Sequence, residues 1–262
     1  MRTDIDTYIR RARRLDLDGL DFDDFRTHPL DQDTLRCLRY MHDVEHHTVC
    51  YLRDLLVTSA HRDPEVTAFL TMWSFEEYWH GDAIAAVLGA HDETSGRPRI
   101  EGVRASLRWT DRLAPTLHSL GSWLAGHSYG AVHMAWGAVN EWTTQAGYAR
   151  LAARAGHPTL TELLRRIMRQ EGRHIDFYAR QAGDRLDGDR RAQRLTRAAL
   201  RRFWKPVGSD VMPEEEVRFM VRHLFGDHDG HQAVARLDRN VDRLPGLDGL
   251  HLLEGATIRY AA

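Results

Sequence analysis

Four stretches of this chain carry apolar residues at helical spacing, and each apolar stripe is interrupted near its middle by a carboxylate. The first, about 31–60, aligns Leu38, Met41, Glu45, Val49, Leu52 and Leu56. The second, about 63–90, aligns Phe69, Leu70, Trp73, Glu77, His80, Ile84 and Val87. The third, about 122–155, aligns Gly130, Met134, Gly137, Glu141, Thr144, Tyr148 and Ala152. The fourth, about 159–182, aligns Leu164, Ile167, Met168, Glu171, His174, Ile175 and Tyr178. The spacing predicts four amphipathic helices that bury these faces against one another. A carboxylate on a buried face is costly unless it is paired or bound to a metal.

Two of the stripes continue from Glu to a His three residues on, Glu77 with His80 and Glu171 with His174. Residues i and i+3 share a helix face, so each pair can hold one ion between carboxylate and imidazole. With 13 Glu and 16 His among 262 residues, one Glu-x-x-His arises by chance about once, so the pairs alone say little. Their order says more: lone Glu45, Glu77 with His80, lone Glu141, Glu171 with His174, one set per helix. That is the ligand set of a carboxylate di-metal site in a four-helix bundle. Four carboxylates balance two divalent cations, and the oxygen-rich set suits iron or manganese, or a mixed pair, better than a thiophilic metal.

The remaining signals frame this all-α expectation. Asp31 or Asp33 can cap the first helix, Asp63-Pro64 opens the second, and Thr159-x-x-Glu162 reads as a capping box for the fourth. Residues 91–102 read as a loop, and 103–120 as a helical crossover broken at Pro115. Residues 1–30 read as a short helix and a solvated loop. A basic helix from Arg190 to Arg202 and a helix opening at Pro213 give accessory helices over about 189–225, with little pattern after Pro245. The basic helix reads as a solvated face that can also dock an acidic partner. Glu76 falls toward the edge of the second stripe, His46 and His47 in outward positions, and Asp227, His228, Asp229 and His231 in a solvated turn. Gly130 and Gly137 cost helix stability on an inward face, which points to close packing or a substrate channel. Trp73, Trp79, Trp123, Trp136 and Trp142 read as core.

A net charge of −2 gives no whole-chain field for nucleic acid. No apolar run approaches a membrane span and the N-terminus lacks an apolar signal core. Cys37 and Cys50, 13 residues apart on one helix, read as reduced thiols of a cytoplasmic protein. The whole chain, 1–262, reads as a single domain.

The segments MWSFEEYWHGDAI, RRIMRQEGRHIDFY, NEWTTQAGYARLA and DVEHHTVCY resemble, in scattered blocks over roughly 35–205, the four ligand helices of the soluble acyl-[acyl carrier protein] desaturases. Tyr78 and Trp79 stand where that family carries Asn-Arg. The resemblance implies a ferritin-like four-helix bundle with one long crossover, additional C-terminal helices and a homodimer. It implies two irons, with Glu77 and Glu171 bridging, Glu45 and Glu141 as terminal carboxylates, and His80 and His174 as terminal imidazoles. It implies an O2-dependent oxidoreductase acting on unactivated C–H bonds of a fatty acyl chain carried by acyl carrier protein. Thr144 would aid proton delivery and a ferredoxin-type partner would supply electrons. Two alternatives stand beside it: a di-iron hydroxylase or N-oxygenase of a small metabolite, and a non-catalytic iron-binding or storage protein.

Overall fold

A computed structural model describes residues 5–106 and 109–261. These residues form helices, with no strand among them. In chain order they are α1 (Ile5–Arg11), α2 (Asp24–Thr27), α3 (Gln32–Leu56), α4 (Pro64–Ala90), α5 (Gly96–Ser106), α6 (Trp109–Ala125), α7 (Tyr129–Ala155), α8 (Pro158–Leu186), α9 (Arg190–Phe203), α10 (Glu214–Phe225), α11 (His228–Asp242) and α12 (Leu252–Ala261). No helix of the described residues is long and apolar enough to cross a membrane.

The four long helices α3, α4, α7 and α8 coincide with the four interrupted stripes, and each runs antiparallel to its neighbours. In the α3–α4 pair, the Leu30 amide donates to His91 Nε2 at one end, and His46 lies against Gly81 further along. In the α7–α8 pair, Gly137 faces Tyr178, and Gln145 donates to the Met168 carbonyl. Gly137 serves close packing, since a methyl there would overlap the Tyr178 ring. Short links suffice for such hairpins. Asp63 caps α4 with Pro64 in its first turn, and Asp31 caps α3 by accepting from the Thr34 amide at 2.8 Å.

Several boundaries differ from the sequence expectation. The segment 91–102 is not all loop, because α5 begins at Gly96, and Pro115 lies inside α6 instead of breaking it. The third stripe's helix does not start near Ser122. A 3-10 turn at Gly126–Ser128, entered through Gly126 at φ +59°, separates α6 from α7. The capping box at Thr159 does not form: His157 accepts the Leu160 amide, while Thr159 donates to Asp24 and Glu162 pairs with Arg165 and Arg166. The chain after Pro245 is not patternless, since α12 packs on α10 and α11. Asp227 to His231 is the start of α11, with Asp227 accepting the Gly230 amide at 2.7 Å. Val49 and Leu56 of the first stripe are exposed, and the C-terminal half of α3 instead buries Thr48 and Asp54. Cys37 and Cys50 are free thiols.

Candidate metal centre

The carboxylates and imidazoles that interrupt the four stripes meet at one level of the helices. Ligating atoms of Glu45, Glu77, His80 and Glu171 lie within 4.8 Å of one another, as do those of Glu77, Glu141, Glu171 and His174. All six residues are buried. The two groups share Glu77 and Glu171.

The imidazoles are aimed by partners behind them. His80 Nε2 is 2.9 Å from Gln170 Oε1, which leaves its Nδ1 facing Glu171 Oε1 at 3.3 Å and Glu77 Oε2 at 3.7 Å. His174 Nε2 is 3.0 Å from Glu76 Oε2, and its Nδ1 lies 2.8 Å from Glu171 and 3.0 Å from Glu77. A carboxylate or amide oxygen on the far nitrogen fixes ring orientation and leaves the near nitrogen as a ligand. His80 Nδ1, Glu77 Oε1 and Glu171 Oε1 are buried without a hydrogen bond. Buried polar atoms are rarely left so. Three such atoms, converging from three positions on two helices, fit a metal-binding site.

The electrostatics describe the same cluster without an ion. Burial, then the neighbouring Glu77, pushes the Glu45 carboxyl well above the ordinary carboxylate range. Glu141 is likewise raised by burial and by Glu171 and Glu77. Burial would raise Glu77 too, but the close approach of the Glu45 acid and of the His174 and His80 cations outweighs it and holds it well below that range. Glu171 is lowered against burial and Glu77 by His80 and His174. Burial disfavours the His80 cation, yet Glu171 and Glu77 raise it to about 10, and His174 is raised well above its ordinary value. Six crowded groups thus settle as two acids, two carboxylates and two imidazoliums, a net charge near zero.

Sequence reasoning missed part of the frame. Glu76 is not at the edge of its stripe: it is fully buried and grips His174, not His80. It also accepts from Arg173 at 2.5 Å, from Tyr8 at 3.3 Å and from the Arg13 amide at 3.3 Å. Residues 5–30 are therefore more than a short helix and a solvated loop, because α1 lays Tyr8 against α4 and the Arg13 carbonyl receives Gln170. Trp73 donates to Glu141 at 2.8 Å, and Tyr148 donates to Glu45. His46 and His47 lie outside both groups.

No family model matches the chain, and no curated protein matches it.

The two sides of the cluster differ. The histidine side is sealed by Gln170, Glu76 and the stacked Phe69–Phe177 pair, whose ring centroids are 3.8 Å apart. The carboxylate side opens on a cavity of about 280 Å³ in the groove between α3 and α7, lined by Glu45, Glu77, Glu141, Thr144, Trp136 and Gly137 among others. A third acidic grouping, Asp238 with His251 and Glu254, lies mostly at the surface. Asp238 is engaged there by the amides of Leu253 and Glu254 at the start of α12.

Proposed function

We propose that the chain is a ferritin-like di-iron oxidoreductase that uses O2 to attack an unactivated C–H bond of an apolar acyl chain. The observation that carries this reading is the overlap of two buried four-ligand groups through Glu77 and Glu171. One ion would be held by Glu45, Glu77, His80 and Glu171, the other by Glu77, Glu141, Glu171 and His174, with the shared carboxylates bridging. Iron is favoured by the oxygen-rich donor set, and manganese or a mixed pair fits the same donors. Bound iron would supply O2 activation; the protein's part is position, access and proton supply.

That part is assigned to particular residues. Gln170 and Glu76 orient the two imidazoles. The Thr144 hydroxyl, on the same cavity wall as Glu141 and one turn from it, can hold or pass a proton at the substrate side. The sealed histidine side keeps water from the two imidazole ligands. Electrons would come from an acidic ferredoxin-type partner on the basic face of α9, where Arg190, Arg191, Arg194, Arg201 and Arg202 are exposed. Acyl carrier protein is the expected acidic carrier. The modest cavity volume favours a second reading, oxygenation of a compact metabolite at the same centre.

Metal analysis after iron-replete purification tests the centre. About two irons per chain are expected, with Glu171→Ala and His174→Ala falling below about half of that while remaining helical. A folded wild-type protein that takes up no metal would sink the proposal.

The homodimer has a candidate face. On α6, Leu113, Leu117, Leu120 and Leu124 recur at heptad spacing and are 45–64% exposed, with Trp123 beside them at 77%. The sequence carries no charged residue from Leu113 to Asn140. Large exposed apolar faces of this kind mark interfaces. A second copy of α6 would cover it. Sedimentation should show a dimer that the double substitution Leu117→Glu, Leu120→Glu converts to monomer; a wild-type monomer would refute this face.

A further inference from the structure

The cavity beside the carboxylates is a groove with direction. Its α7 wall runs from Tyr129 and His133 through Gly137 to Glu141 and Thr144, and its α3 wall from Glu45 to Leu55. At the Glu45 end the C-terminal helices close over α3 and α7, where Leu224 packs near Gly147 and a pocket of only about 90 Å³ remains. At the other end lies a second, larger cavity of about 600 Å³, bounded by Arg62, Asp63, Gly130, Trp123, His127 and Arg185. One residue, His133, lines both cavities.

His133 is buried, and its Nδ1 has no hydrogen-bond partner. A buried imidazole nitrogen left unpaired at the junction of two cavities is a group waiting for a ligand. Burial, helped by the neighbouring His118 and Arg185, lowers its pKa to about 4, so the ring is neutral and can donate or accept there. The outer cavity offers charge of one sign beyond its internal pair. Arg185 is held by Asp63 at 2.7 Å, while Arg62 is exposed and forms no ion pair among the described residues.

We infer that substrate reaches the metal centre from this end, with a short apolar body threaded past His133 into the groove and an anionic head retained in the outer cavity beside Arg62. The inference rests on the di-metal reading only for what happens at the far end of the groove. One distance sets the body's length. His133 and Glu141 are eight residues apart on one helix, about 12 Å along its axis. An extended chain covers about 1.2 Å per bond, so about ten bonds separate gate from cluster. That distance fits a medium-length chain of about eight to ten carbons. A long fatty chain would have to pass beyond the cluster into the smaller pocket of about 90 Å³. The head can be a free carboxylate or the phosphate of a phosphopantetheine arm.

Calorimetric binding to the metal-loaded full chain under anaerobic conditions tests this, with octanoate, octanol, hexadecanoate and octanoyl-phosphopantetheine as probes. Octanoate should bind, with octanol and hexadecanoate each at least tenfold weaker. His133→Trp should weaken octanoate at least tenfold at unchanged metal content. Arg62→Gln, at the surface and safe for folding, should weaken octanoate several-fold and leave octanol unchanged. Tighter binding of octanoyl-phosphopantetheine identifies a carrier-borne source, and equal or weaker binding a free acid; both support the route. Equal octanoate affinity in the wild type and both variants overturns the route, and hexadecanoate binding as well as octanoate overturns the length limit. Repeating the titration on metal-free protein separates the two readings. Octanoate binding without metal uptake would remove the di-metal function and leave the groove.

Discussion

Loading the metal-free protein with two divalent ions at pH 7 should release about four protons. Two come from the carboxylic acids of Glu45 and Glu141, both raised well above the ordinary carboxylate range by burial and by neighbouring carboxylates. Two come from His80, raised to about 10, and from His174, also raised. Glu77 and Glu171 are held low and give none. The charge balance is the same before and after. Two imidazoliums against two carboxylates become two dications against four carboxylates. The sign of the pH dependence follows. Protons are a product of binding, so affinity rises with pH and falls in acid. Each proton contributes about a factor of ten per pH unit. Four together should change the combined constant for two ions by roughly ten thousandfold per unit around neutrality. A pH-stat titration counts the protons, and chelator competition at pH 6, 7 and 8 gives the slope. Release of fewer than about one proton, with affinity flat over that range, would mean that the cluster is not an acid-filled site waiting for cations. The metal-free protein has a matching behaviour. Groups whose folded pKa is raised, such as His80, stabilise it below their unfolded value of 6.5 and cease to do so as pH climbs through about 10. Metal should remove that alkaline loss.

The six clustered residues were legible in the sequence because a charged residue on a helix's buried face contradicts its surroundings. Glu45 amid Leu38, Met41 and Leu52, or Glu171 amid Ile167 and Tyr178, needs a partner, and periodicity alone reveals the contradiction. The groups that aim the ligands were not legible in that way. Tyr8, the Arg13 amide and Gln170 meet Glu76 and His80 from segments far apart in the chain, and no local pattern encodes such a meeting. Glu76 itself does carry a local signal. It lies three residues after Trp73 and seven after Phe69, in register with both, beside Glu77, which begins the Glu-x-x-His pair. The break at Gly126 was hidden because apolar spacing continues from α6 into α7, and only a positive φ at one glycine marks the turn. Val49 and Leu56 fit the first stripe by phase but are exposed, and apolar residues need not be covered. Asp227, which reads as part of a solvated turn, caps the first turn of α11, and Asp238, with no local signal of its own, accepts the amides that open α12.

Glu76→Leu should cost roughly 3 kcal/mol of folding stability and 10- to 100-fold in metal affinity, although Glu76 belongs to neither ligand group. The carboxylate is fully buried and takes four donors: His174 Nε2, the Arg173 guanidinium, the Tyr8 hydroxyl and the Arg13 amide. Burial raises its pKa, but His174 and Arg173 outweigh burial and hold it below the ordinary range, so it is ionised at pH 7. Leucine fills its space and satisfies none of the donors. Arg173 is 27% exposed and can turn partly to water, which places the cost at the low end of the range for a broken buried pair. At about 2–4 °C per kcal/mol for a chain of this size, melting should fall by roughly 10 °C. The effect on metal has a separate cause. Without a carboxylate on Nε2, the His174 ring is free to rotate or to adopt the other tautomer, and its Nδ1 is no longer held 2.8 Å from Glu171. Glu76→Gln distinguishes the two losses. It keeps the volume and an oxygen for His174, so metal affinity should recover to within a few-fold. The Arg173 charge stays unpaired, so stability should remain low. Tyr8→Phe, which removes one donor and leaves the carboxylate satisfied, should change both by little. Wild-type melting and affinity in Glu76→Leu would show that the ligand histidines are aimed by helix packing alone.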